Sequence, residues 1–132
     1  MLFLVVFLFY QYGYSMKKQY RVKKNQEIEL ILKTKKYCGN QYFTVYKRIN
    51  SETSYFRYAI SVGKKIGNAV VRNKIKRQVT SIIDNLNINL NSNTDVFIIV
   101  RPKVKEIDFL TMKSQLEYLF NKQKLLQGDK ND

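Results

Sequence analysis

A chain of 132 residues suffices for one compact domain with one hydrophobic core and is too short for two ordinary domains. Lys and Arg number 24 against 10 Asp and Glu, a formal charge of +14; a polyanion would offset that self-repulsion, so RNA, DNA or an anionic membrane leads the partner classes, and composition does not choose among them. The single cysteine, Cys38, excludes an internal disulfide and a cysteine-held zinc ion and fits a reducing cytoplasm, while the lack of histidine removes the usual Ser-His and Cys-His catalytic pairs.

The apolar run Leu2 to Tyr10 is about half the length a helix needs to cross a bilayer. No Lys or Arg precedes it and Gln11 to Ser15 makes a poor cleavage site, so it does not read as a secretory signal. Met16-Lys17-Lys18 looks like an ordinary beginning. Residues 1–15 are therefore expected to be a start-site artefact or a disordered extension, with a membrane tether as the alternative. The domain is expected over 16–124, and a disordered tail over 125–132.

Asn25 is expected to cap a helix running to about Thr34, in which Ile28, Ile31 and Leu32 share one apolar face. Tyr42 to Ile49 alternates with a period of two, Asn50 to Ser54 supplies turn formers, and a second alternating run follows, a pattern that predicts an antiparallel hairpin. In that second strand Phe56, Tyr58, Ile60 and Val62 should face the core, with Arg57, Ala59 and Ser61 on the other side. After the loop Gly63 to Asn68, the stripe Val71, Ile75, Val79, Ile82, Ile83, Leu86 predicts a long amphipathic helix. Asn85 to Asn93 is an Asn-rich loop, and the unbroken apolar run Val96 to Val100 predicts a strand buried on both faces and ended by Pro102. A final helix is expected over about Ile107 to Gln123, with Phe109, Met112, Leu116, Leu119 and Phe120 on one face. The expected fold class is α+β, a single-domain two-layer sandwich in the order α-β-β-α-β-α.

The chemistry concentrates in Gly63 to Arg77, GKKIGNAVVRNKIKR, which holds six basic side chains and no acid. On a helix Arg72 and Lys76 are four-residue neighbours, as are Asn73 and Arg77, so they form two ridges beside the apolar stripe. Like charges at that spacing repel by a few tenths of a kcal/mol, roughly 0.2–0.5 per pair, and a polyanion relieves them. Gly63 and Gly67, with Lys64 and Lys65, would let a phosphate approach the start of the helix. The ten acids are scattered from Glu27 to Asp132 without the grouping of a two-metal nuclease, so the chain is expected to bind rather than to cut.

The stretch Ser61 to Arg77, SVGKKIGNAVVRNKIKR, closely resembles the signature of the bacterial ribonuclease P protein family, whose core is Arg-Asn-Arg. Tyr20 to Asn25, Phe43 to Tyr46, Val96 to Pro102 and Gln115 to Phe120 resemble the family as well, so the likeness covers about Met16 to Lys122. Four positions depart from its pattern. Lys74 stands where the core has arginine, keeping the charge without the bidentate fork; Gly63 replaces a usual serine; Ile28 and Leu32 replace phenylalanines, keeping apolar contact without base stacking.

The resemblance implies a left-handed βαβ crossover and a protein cofactor for a catalytic RNA, which itself holds the active site and its magnesium ions and hydrolyses precursor tRNA at the mature 5′ end. No catalytic residue and no metal ligand are expected on this chain. By the same resemblance Lys64, Lys65, Asn68, Arg72, Asn73, Lys74, Lys76 and Arg77 would contact the catalytic RNA, mostly at phosphates. Tyr46 would stack on the single-stranded 5′ leader, Thr44, Ala59 and Ser61 would leave room for it, and Ile28 and Leu32 would wall it. The partners are then RNA and not DNA, without a membrane, in the cytoplasm. Two rivals remain: a noncatalytic ribosomal protein or RNA chaperone, and a membrane-associated protein anchored through residues 1–15.

Overall fold

The alternating strands fold into a sheet whose two faces differ in chemistry, and the helices divide between them. In the computed structural model, which describes residues 20–127, the elements are α1 (Asn25–Lys33), β1 (Tyr37–Gly39), β2 (Phe43–Ile49), β3 (Arg57–Val62), α2 (Ala69–Asn85), β4 (Thr94–Val100) and α3 (Phe109–Lys122). Short 3-10 turns at Lys64–Ile66 and Pro102–Glu106 precede α2 and α3. The architecture is α+β in the expected order, with β1 as a short strand that sequence periodicity did not announce. The expectations about residues 1–15 lie outside the described residues.

The hairpin expected between the two alternating runs, now β2 and β3, does not form. The strand order is β1-β2-β4-β3: β4 lies between β2, to which it is antiparallel, and β3, to which it is parallel. Alternation fixes which face of a strand is buried, not which strand lies beside it. Val96 to Val100 is apolar at every position and so takes the central place, where both faces are covered, while α2 makes the crossover between the parallel pair.

One sheet face carries Phe43, Val45, Tyr58, Val62, Val96, Ile98 and Val100 against the α2 stripe from Ile75 to Leu86 and the α3 side chains Met112, Leu116, Leu119 and Phe120. Each such large side chain contributes about 1.5–3 kcal/mol on burial, so this layer dominates stability. The opposite face holds a thin second cluster, Val22, Ile31 and Phe97, beneath α1.

Two boundaries differ from expectation. Lys24, not Asn25, is the residue before the helix, and it caps through its backbone: its carbonyl accepts from the amides of Glu27 (3.0 Å) and Ile28 (3.1 Å), with no side-chain cap. The fold also continues past residue 124. Leu125 is buried in the main core, Leu126 bridges to Ile88, and the Gln127 amide donates to the Asn87 carbonyl at 2.7 Å.

Candidate nucleic-acid interface

The sheet face beneath α1 is built as three rows across β2, β4 and β3. The first is Arg48, Asp95, Arg57; the second is Tyr46, Phe97, Ala59, extended by Tyr37 of β1; the third is Thr44, Ile99, Ser61, extended by Gly39. Pleating puts all of these on one side. Ile28 and Leu32 of α1 are half-buried against the second row and form its wall. The six residues expected at the leader, Ile28, Leu32, Thr44, Tyr46, Ala59 and Ser61, therefore share one surface. Thr44 is buried as its floor, whereas Tyr46, Ala59 and Ser61 stay partly open. Gly39 is tightly constrained here, because a Cβ would lie 3.0 Å from both the Phe43 carbonyl oxygen and the Thr44 hydroxyl.

The first row closes that face with charge that neutralises itself. Asp95 is fully buried. Arg57 grips it with two hydrogen bonds, Nε to Oδ1 at 3.0 Å and Nη2 to Oδ2 at 2.9 Å, and the same Nη2 also donates to Glu27 of α1. Arg48 lies 3.6 Å from Asp95, and Asn50 donates its amide to it at 2.9 Å. Hydrogen bonding to Asp95 raises the Arg57 pKa above the ordinary guanidinium range against the opposing effect of burial, with Glu27 adding to the rise.

On the far side of β3, α2 begins at Asn68, whose side-chain oxygen accepts from the Val71 amide at 3.0 Å. Lys64, Lys65, Asn68, Asn73, Lys74, Lys76 and Arg77 are exposed, and Arg72 is half-buried. Arg72, Lys76 and Thr80 fall on one ridge, which faces the outer edge of β3. There a cavity of about 230 Å³ is lined by Arg21, Lys23, Lys76, Thr80 and Phe97. Asn73 and Arg77 form the solvent ridge, while Lys74 projects from the opposite flank by helical geometry and does not join either. The two glycines differ. Nothing lies within 4 Å of a Cβ built on Gly63, so backbone there is approachable; at Gly67 a Cβ would meet Val71 at 3.0 Å, so that glycine serves packing.

Sequence reasoning missed Tyr37, Phe97, Ile99 and the cationic pair Arg21 and Lys23. Tyr37 and Phe97 occupy the same row as Tyr46 only because β1 and β4 flank β2, a pairing that periodicity does not encode. Among the described residues no three His, Cys, Asp or Glu side chains group to hold a metal ion, and no helix is long and apolar enough to cross a membrane.

Comparison with known proteins agrees with this architecture. A family model described as ribonuclease P matches residues 16–124. The ribonuclease P protein component of Acholeplasma laidlawii is 40% identical over 114 residues, covering 86% of this chain and 97% of the relative. The solved structure of the Staphylococcus aureus RNase P protein superposes with a TM-score of 0.73 at 35% identity, covering 82% of this chain and 98% of that one. The Thermotoga maritima RNase P protein gives 0.66 at 34% identity, with 75% and 93% covered.

Proposed function

Because the chain belongs to the ribonuclease P protein family, we propose that it divides its work between two surfaces, one for the catalytic RNA and one for the 5′ leader of precursor tRNA. Ribonuclease P is an endoribonuclease that hydrolyses the phosphodiester at the mature tRNA 5′ end. In this reading the chain is its protein subunit, and the RNA subunit holds the active site.

The observation that carries the division is spatial. Ile28, Leu32, Thr44, Tyr46, Ala59 and Ser61 line one sheet face, and the cations of α2 and its preceding turn lie across the edge of β3 from it. Lys64, Lys65, Asn68, Arg72, Asn73, Lys76 and Arg77 would engage catalytic-RNA phosphates, with Lys74 a separate contact from the opposite flank. Tyr46 would stack on a leader base above Thr44, Ala59 and Ser61. The residues here do not fit a protein-borne magnesium site: Asp95 is taken up by two arginines, the neighbouring Glu27 is bound to one of them, and among the described residues no third acid joins the pair. Magnesium would be held by the RNA subunit and the substrate. The cytoplasm, where precursor tRNA is processed in bacteria, is the matching compartment.

Reconstitution tests this reading. Purified protein added to a bacterial catalytic RNA at low magnesium should raise cleavage at the mature 5′ end of precursor tRNA selectively. Equal stimulation of unrelated RNA folding, without position-specific cleavage, would favour the chaperone.

A further inference from the structure

We infer that Glu27 is a positioning residue for leader recognition: through Arg57 it fixes α1, and with it the Ile28 and Leu32 wall, over the sheet. The inference rests on the leader-face reading above and assigns a role to residues that no leader contact needs to touch.

Three observations carry it. First, the apolar attachment of α1 is thin: Ile31 is its one buried side chain, set against Val22 and Phe97, while Ile28 and Leu32 pack there only half-buried. A helix of nine residues held by so little surface is not fixed in tilt or rotation by packing alone. Second, polar ties hold both ends. At the C-terminal end the Thr34 hydroxyl, shared with the Ile31 carbonyl, lies 3.1 Å from the Lys47 carbonyl. At the N-terminal end Glu27, in the first turn, accepts from Arg57, and this is the charged tie between α1 and the sheet among the described residues. Third, the anchor of that tie is itself held from several sides. Both Arg57 contacts to Asp95 are in place, Asp95 is fully buried, and Asn50 adds a further donor to it. Arg57 is thus held on β3 and offers Glu27 one of its nitrogens in a fixed direction.

Glu27 is also an acid beside a surface meant for a polyanion. A role in repelling RNA predicts tighter binding on its removal, whereas a positioning role predicts weaker binding. The sign separates them.

The test uses the full chain in holoenzyme with catalytic RNA, measuring affinity for a precursor tRNA and for the same tRNA without its leader. Glu27→Gln keeps the size of the side chain and removes the charged tie. It should weaken precursor binding by about three- to ten-fold, leave mature tRNA and catalytic-RNA affinity near wild type, and melt close to the wild-type temperature. Glu27→Asp should retain part of the discrimination. Adding Leu32→Ala to Glu27→Gln should cost less than Leu32→Ala alone, because the wall is already displaced. Tighter precursor binding by Glu27→Gln, or full additivity with Leu32→Ala, overturns the inference. Run alongside, Tyr46→Ala tells the two failures apart. Discrimination lost with Tyr46→Ala but intact with Glu27→Gln sinks the positioning role alone; discrimination intact in both sinks the leader face and this inference with it.

Discussion

Tyr37 and Tyr46 lie directly opposite one another on β1 and β2, with ring centroids 4.9 Å apart and planes inclined by 32°. Tyr37 is the more exposed of the two, so the pair forms a stepped aromatic platform at one end of the second row. Stacking of a base on an aromatic ring is worth roughly 1–3 kcal/mol, so Tyr46→Ala should weaken precursor-tRNA binding by about five-fold to a hundred-fold. Tyr37→Ala should act in the same direction by a smaller factor, through loss of support for Tyr46. Mature tRNA affinity and the salt dependence should barely change. Equal losses for precursor and mature tRNA would leave Tyr46 as a residue that supports the fold or the RNA interface.

Arg72→Ala with Lys76→Ala should weaken holoenzyme assembly in a salt-dependent way. Each lost phosphate contact lowers the slope of log affinity against log salt by about one. Lys76 is exposed and should act through charge alone, whereas Arg72 is half-buried and its aliphatic stem also packs. The single Lys76→Ala variant is thus the cleaner probe. An unchanged slope in titrations across a salt series would reduce this ridge to solvated surface.

Val79 is fully buried between α2 and the sheet. Val79→Asp places an unpaired carboxylate there at a cost of about 3–5 kcal/mol, comparable to the whole stability of a small domain, about 5–15 kcal/mol. Circular dichroism should show an unfolded or strongly destabilised chain. Cooperative melting at the wild-type temperature would contradict the placement of this helix face.

Burial raises the pKa of the Cys38 thiol above its ordinary range, and Lys122, Gln123 and Lys47 only partly oppose the shift. The folded state therefore holds this proton more tightly than the unfolded chain does. The associated stability is fully present below the ordinary thiol pKa and is lost as pH rises through the raised one. Alkylation of the native protein should be slow at neutral pH and should turn on at higher pH than in denaturant. Coincident pH profiles for native and denatured protein would refute the shift.

What the sequence could express was local. The alternation in Phe56 to Val62 correctly sorted Tyr58 and Val62 from Arg57, Ala59 and Ser61, and the 3.6-residue stripe placed Ile75, Val79, Ile82, Ile83 and Leu86 in the core. The basic run from Lys64 to Arg77 was legible because charge needs no tertiary context to be seen. Strand partners were not legible: turn formers at Asn50 to Ser54 imply a reversal, yet β3 pairs with β4. Nor was the Glu27, Arg57, Asp95 network, whose members are up to 68 positions apart in the chain (95 − 27 = 68) and meet only across a folded sheet. Asn25 failed as a cap because the chain enters α1 from an extended Lys24, where the backbone carbonyl suffices.

The central position of β4 also orders events in time. It is the last strand along the chain, yet both β2 and β3 depend on it for their main pairing. A nascent chain that ends before Thr94 can form the β1–β2 pair and the amphipathic α2, but its two longest earlier strands keep open edges and α1 lacks Phe97 beneath it. Closing the sheet then requires long-range contacts, whose loop-closure entropy slows folding relative to local structure. Until β4 arrives, Arg57 of β3 has no Asp95 to grip, so the charged row that closes the face beneath α1 is completed only by the last strand to be made.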